Sequence, residues 1–218
     1  MKHVYLVGLK RVLDVSVAAI GLLVLSPLLL ALAILIRLDS QGPALYRGER
    51  LGRHGRPFWM YKFRTMVHVD TPTQPDRVAS RNDSRITRLG AHLRRLKLDE
   101  LPQLINVLRG EMSLVGPRPE GLKYLHYYTD EQWCVLSVRP GITGLAQLEY
   151  IEEGIMLGNG QDYETIYVEQ MLPRKLVLDL WYIDHWSFAL DLQILLRTIL
   201  MVLLMRRSWS LKGQYCEV

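Results

Sequence analysis

Cysteine is nearly absent. The two present, Cys134 and Cys216, stand far apart and form no CxxC pair. That excludes a disulfide framework and a cysteine-based metal site, and it points to a reducing, cytosol-facing setting. Internal repeats and low-complexity segments are also missing, so 218 residues read as one sizeable domain with a small attachment. No nucleic-acid-binding motif accompanies the modest net charge of +5, made of 27 basic and 22 acidic residues. Such a balance suits an anionic partner of another kind, a lipid head group or a phosphorylated substrate. Charge is missing locally too: from Val12 to Ile36 the only ionisable side chain is Asp14.

That apolar run, as a straight helix, would measure roughly 37 Å against a bilayer core of about 30 Å. Its length and the lack of an A-x-A site before Arg37 speak against a cleaved signal peptide. Ser26-Pro27 sits in its middle. Pro27 removes an intrahelical hydrogen bond, and the freed carbonyl needs a partner inside lipid, a role open to Ser26. Lys2, Lys10 and Arg11 precede the run, and Arg37, Arg47, Arg50, Arg53 and Arg56 follow it. Positive charge favours the cytoplasmic side. Basic residues at both ends suit a helix that enters and leaves by one face; a single kinked transmembrane anchor is the other reading.

Beyond a turn at Asp39–Pro43, two short apolar runs flank a Gly-rich basic turn between Ala44 and Met66, the pattern of a small β-hairpin. Alternation there places Lys62 and Arg64 on one strand face as candidate phosphate ligands; a solvated basic strand lying on anionic lipid is the alternative. His68 to Asp83 reads as a surface loop. Ile86 to Leu98 has helical spacing and many cations, some of which suit lipid-facing snorkelling. Gly121–Val138 and Tyr163–Asp184 read as helical, the latter interrupted at Pro173. Phe188–Arg207 is a second apolar run holding Asp191 and Arg197 and bracketed by Trp181, Tyr182, Trp186 and Trp209, which reads as an interfacial amphipathic helix or one packed on the core.

The densest chemistry lies between Leu98 and Pro119. Pro102 is tolerated in a first helical turn, so a helix is expected to begin near Leu98 or Asp99, with Asp99 close to its N-cap. Free backbone N–H groups and the positive dipole end would then favour an ionised Asp99 and a bound phosphate. Adjacent helical residues point about 100° apart, so Asp99 and Glu100 suit two tasks, one attacking and one holding a metal, with Mg²⁺ matching hard oxygen ligands. Helix capping is the plain alternative for this pair. In Gly116-Pro117-Arg118-Pro119 two prolines restrain one guanidinium, whose fork can grip phosphate oxygens; a rigid turn is the plain alternative there.

The run Leu98–Pro119 closely resembles the signature of the bacterial sugar transferases, the monotopic phosphoglycosyl transferases. Tyr61-Lys62-Phe63-Arg64-Thr65-Met66, Arg139-Pro140-Gly141-Ile142-Thr143-Gly144 and the N-terminal segment with central Ser26-Pro27 resemble further blocks of that family, in the same order. The resemblance implies a mainly α fold with a small β-hairpin, in a monotopic membrane protein. Residues 1–40 would form a re-entrant helix broken at Ser26-Pro27, and residues 41–218 a cytosolic-face catalytic domain with interfacial amphipathic helices.

It also implies transfer of a sugar 1-phosphate from a UDP-sugar to polyprenol phosphate, the first membrane step of bacterial glycan assembly. UMP is released, and the intermediate is covalent. The family's nucleophile falls on Asp99 and its Mg²⁺-associated carboxylate on Glu100. Its phosphate-gripping arginines resemble Arg94 and Arg118, and Lys62 and Arg139 match further active-site positions. The implied setting is the bacterial cytoplasmic membrane, among its lipids, with the site on the cytosolic face; a homodimer is compatible with this. The length matches the small members, without the extra N-terminal spans of the long ones. The acidic stretch Glu149–Glu153 departs from the basic, Gly-containing stretch usual there, and no site residue is assigned to it. A non-catalytic membrane-surface scaffold of a glycan-assembly complex is the alternative from another class.

Overall fold

The computed structural model describes residues 2–67, 83–150 and 163–204. The expected loop at His68–Asp83, apart from Asp83 itself, and most of the acidic stretch at 149–153 lie outside these residues, as do Trp209 and Cys216.

The first helix, α1 (Lys2–Asp39), runs through Pro27 without a gap, so the expected break at Ser26-Pro27 does not interrupt the helix. Proline at position 27 cannot donate to the carbonyl four residues back, which belongs to Leu23. The Ser26 hydroxyl donates to that same oxygen at 2.8 Å, so the bond that proline deletes is replaced by its neighbour's side chain. Only a narrow stripe of α1 packs on the protein. Asp14, Ala18, Leu32 and Ile36 are buried, and no residue between Ala18 and Leu32 is. The rest presents exposed aliphatics, Leu23 at 76% and Val24 at 69% among them. A contiguous apolar surface of this kind marks a contact with membrane or partner. Among the described residues Gly8–Asp39 is the one helix long and apolar enough to cross a membrane.

Strands β1 (Leu45–Leu51) and β2 (Pro57–Phe63) form the expected antiparallel hairpin, from Leu45 opposite Phe63 to Leu51 opposite Pro57. His54 and Gly55 take positive φ in the turn. Helix α2 (Arg88–Arg95) is shorter than the expected Ile86–Leu98. Thr87 accepts from the Gly90 N–H as its N-cap, an arrangement that competes with extending the helix toward Ile86. A 3₁₀ turn at Leu98–Glu100 leads into α3 (Gln103–Arg109), which Gly110 ends in the left-handed region at φ 85°.

Strands β3 (Ser113–Val115) and β4 (Gly141–Thr143) pair in parallel, Ser113 opposite Gly141 and Val115 opposite Thr143. Three residues each were too short to show alternation in the sequence. The approach is close enough to require glycine: a Cβ on Gly141 would lie 2.1 Å from the Gly116 nitrogen. The expected helix over Gly121–Val138 resolves into two 3₁₀ segments, Leu122–Tyr127 and Gln132–Ser137. Helices α4 (Leu145–Glu149), α5 (Tyr163–Ile166), α6 (Leu172–Asp184) and α7 (Phe188–Leu203) complete the described chain, with a π turn at Tyr167–Met171 joining α5 to α6. Pro173 falls in the first turn of α6, and the π turn ends just before it. The helical path over Tyr163–Asp184 is therefore irregular at this point, where the sequence placed an interruption.

The main core joins Ala18 of α1, Phe58 and Met60 of β2, Leu104 and Val107 of α3, and Ile194 of α7. The outer face of α7 exposes Leu192, Leu196, Ile199 and Leu203, in keeping with an amphipathic helix. The protein is thus mainly helical, with one small hairpin and one long apolar N-terminal helix.

Candidate active site

Asp99 and Glu100 owe their position to a backbone reversal. Lys97 adopts φ 55°, ψ 19°, an uncommon left-handed conformation for a side-chain-bearing residue. It turns the chain sharply out of α2. Right-handed angles then resume at Leu101 and Pro102 and continue into α3. Asp99 therefore lies one turn ahead of the α3 N-cap, which is Pro102. Both carboxylates are buried, at 8% and 9% exposure.

Glu100 Oε1 accepts from Lys62 Nζ at 2.8 Å and from Arg118 Nη2 at 3.4 Å. Burial by itself would raise the Glu100 pKa. The charges of Lys62, Arg118 and Lys97, with the Lys62 hydrogen bond, outweigh it and hold the carboxyl well below the usual range. Asp99 goes the other way. Burial and the adjacent Glu100 charge push its pKa up, against Lys62, Lys97 and Arg94. Its Oδ1 is buried with no hydrogen-bond partner among the described residues. The two carboxylates thus have opposed electrostatic environments. Lys62 itself is lowered, because desolvation outweighs the attraction of Glu100.

Three elements converge to make this arrangement. Asn106, fully buried on α3, fixes β2 alongside. Its Oδ1 accepts from the Tyr61 N–H at 3.0 Å, and its Nδ2 donates to the Trp59 carbonyl and to Glu111, each at 2.7 Å. That contact carries Lys62, the next residue of β2, to Glu100. Arg94 near the end of α2 donates to Thr65 Oγ1 at 2.7 Å, and its charge acts on Asp99. Arg118 arrives from β3, which Asp14 of α1 holds in place: the Asp14 carboxylate accepts from Ser113 Oγ at 2.7 Å and from the Leu114 N–H at 3.2 Å.

Of the residues singled out in the sequence, Lys62, Arg94, Asp99, Glu100 and Arg118 come together. Arg64 and Arg139 do not join them through any described contact. Arg64 lies one residue past β2 and donates to the carbonyls of Ile36, Ser40 and Gln41, at 3.2, 2.6 and 2.7 Å. It caps the C-terminus of α1, whose last carbonyls lack helical partners. Arg139 Nε donates to the Gly110 carbonyl at 2.8 Å, beyond the end of α3. Ser26 and Pro27 lie in α1 and contribute to the helix alone. Sequence reasoning gave no role to Lys97, Gln103, Asn106 or to Asp14 as an anchor. A single carboxylate in an apolar run and a carboxamide inside an apolar helical pattern were the available signals for Asp14 and Asn106.

A family model described as bacterial sugar transferase matches residues 5–205. A UDP-glucose:undecaprenyl-phosphate glucose-1-phosphate transferase of Caulobacter vibrioides is 44% identical over 194 residues, 87% of this chain and 68% of its own. An uncharacterized sugar transferase of Bacillus subtilis, EpsL, is 42% identical over 89% of this chain and 87% of its own. A UDP-N-acetylgalactosamine-undecaprenyl-phosphate N-acetylgalactosaminephosphotransferase of Aeromonas hydrophila is 37% identical over 89% of this chain, which spans only 44% of that longer protein. On the strength of the family match and these relatives, the chain belongs to the bacterial sugar transferases and is an enzyme that transfers substituted phosphate groups.

Proposed function

We propose that the chain moves a sugar 1-phosphate from a UDP-sugar to undecaprenyl or a similar polyprenol phosphate, giving a polyprenyl-diphosphate sugar and UMP through a covalent intermediate on Asp99. The observation that carries this reading is the buried Oδ1 of Asp99, without a hydrogen-bond partner among the described residues, beside a Glu100 held ionised by Lys62 and Arg118. A capping residue would spend that oxygen on a backbone N–H; a nucleophile keeps it for the substrate.

In the first half-reaction Asp99 Oδ1 attacks the phosphorus next to the sugar. The bond from that phosphorus to the UMP oxygen breaks, and UMP departs with the electron pair. In the second, an oxygen of the lipid phosphate attacks the same phosphorus and releases the Asp99 carboxylate. One difficult transfer becomes two easier ones. Arg118 and Lys62, both beside Glu100, would offset the negative charge that accumulates on the diphosphate. Raised basicity in Asp99 favours attack once the carboxyl is ionised. Glu100 is the carboxylate that would hold a Mg²⁺ ion, a hard cation suited to oxygen ligands; such an ion would offset diphosphate charge.

Features of α1 support a membrane arrangement. Buried residues occur toward its two ends and are absent between Ala18 and Leu32, which supports a helix dipping into one leaflet from a protein resting on its surface. The basic flanks at both ends favour the cytosolic face of the cytoplasmic membrane. Exposed leucines on α7 would lie in the same interface.

The test is a panel of UDP-sugars, including UDP-glucose and UDP-N-acetylgalactosamine, screened for UMP release with Mg²⁺ and polyprenol phosphate. At least one donor is expected to give lipid-dependent turnover. No release from any donor would reject the reaction and favour a scaffold.

A further inference from the structure

Helical backbone angles run on from the Leu98–Glu100 turn through Leu101 (φ −54°, ψ −36°) and Pro102 (φ −60°, ψ −16°) into α3. Residues four and three apart on such a path share a face, so Asp99, Gln103 and Asn106 line one side. Asn106 identifies that side as the one against β2, through its bonds to Trp59 and Tyr61. Two carboxamides therefore stand on the face that carries Asp99, and their states differ. Asn106 spends its oxygen and its nitrogen on three partners. Gln103, at 2% exposure, has a buried Nε2 with no acceptor among the described residues. Buried amide nitrogens are rarely left so. On that same face Asp99 Oδ1 is also buried, an acceptor without a donor among the described residues.

An unspent donor and an unspent acceptor one helical turn apart call for a ligand that meets both. A phosphoryl group does, with an electrophilic phosphorus for the carboxylate and a non-bridging oxygen for the amide. We infer that Gln103 is a further substrate-binding group of this site, its Nε2 donating to a non-bridging oxygen of the phosphoryl group transferred to Asp99. This rests on the reading of Asp99 as nucleophile. Gln103 transfers no proton. It gives a hydrogen bond that strengthens as charge builds on the phosphoryl oxygens while the Asp99–phosphorus bond forms and the bond to UMP breaks. Its position beside α3's first turn fixes it before substrate arrives, so no reorganisation is needed at the moment of reaction.

Rapid-quench measurement of the UMP burst, with the donor that the wild-type chain turns over and no lipid acceptor, separates this role from a structural one. Burst amplitude counts competent sites, and the burst rate constant reports chemistry at each. Gln103→Met and Gln103→Glu, both close in length but lacking the amide donor, are expected to lower the rate constant by about 100-fold with the donor KM changed far less. Gln103→Asn, which keeps the amide one methylene short, is expected to fall between. A wild-type rate constant in the first two variants, with or without a lower amplitude or melting temperature, would mean a packing role and would overturn the inference. A wild type that forms no adduct on Asp99 would instead remove the nucleophile reading on which it rests.

Discussion

Replacing Lys62 by Met probes the electrostatics on which the site depends. The Lys62–Glu100 pair closes at 2.8 Å with side chains 17% and 11% exposed, and Arg118 stands by at 3.4 Å. Removing one member of a fully buried pair costs about 3–5 kcal/mol. Two features reduce that here. Lys62 pays for its own burial, since desolvation lowers its pKa despite Glu100, and Arg118 remains to face the carboxylate. A loss of about 2 kcal/mol is therefore expected, which for a chain of this size is a fall in melting temperature of roughly 4–8 °C. The pH dependence carries the sign. Glu100 has a depressed folded-state pKa, so in the wild type its contribution is complete above the unfolded value of 4.5 and fades only as pH drops through the depressed one. Without Lys62 the Glu100 pKa moves up. Below that unfolded value the variant loses less than the wild type, so the gap between them narrows as pH falls under 4.5. Thermal unfolding in detergent without divalent cations would show this. Equal melting temperatures at pH 7.5, or a gap that widens on acidification, would refute the assignment of Lys62 as the principal partner of Glu100.

Three further outcomes follow from the same contacts. Asp99 has a raised pKa from burial and from Glu100, and attack requires the carboxylate, so the acidic limb of UMP release should lie above the ordinary aspartate value of 3.8; a limb at or below it would contradict the environment described. Pro27→Ala restores an N–H to Leu23 and Ser26→Ala strips the replacement donor, at a cost of about 1 kcal/mol; both should impair use of the lipid acceptor while leaving the UMP burst intact, and unchanged acceptor kinetics would uncouple the helix from catalysis. Arg64→Met should lower the melting temperature by freeing the α1 carbonyls, with a burst rate constant per site near that of wild type; a collapsed rate constant in a protein of unchanged stability would show that Arg64 touches substrate.

Local pattern carried part of this structure. The apolar run of α1, the hairpin around its Gly-rich turn and the helical spacing of α2 and α7 are short-range features, and each recurs in the fold with small shifts at its ends. The parallel pairing of β3 with β4 is not local: it joins Ser113 to Gly141, and strands of three residues have no period to read. The same limit applied within the site. Asp99, Glu100 and Arg118 could be singled out because they sit in one compact stretch, and Lys62 because it stands in a basic strand. What brings them together is Asn106 against β2 and Asp14 against β3, both long-range contacts by residues that look out of place in apolar helices. Arg64 shows the reverse case. Its alternation with Lys62 was correct along the chain, but β2 ends at Phe63, and the open carbonyls of α1 lie within its reach.

The central claim is that Asp99 carries the sugar phosphate between donor and lipid. Intact-mass analysis of the chain, incubated with its UDP-sugar donor and Mg²⁺ in the absence of polyprenol phosphate, tests it most directly. The account predicts a mass gain of one sugar phosphate, localised to Asp99 by peptide mapping, discharged by polyprenol phosphate and absent from Asp99→Asn. Full lipid-dependent turnover by Asp99→Asn, or an adduct mapped to another residue, would contradict it.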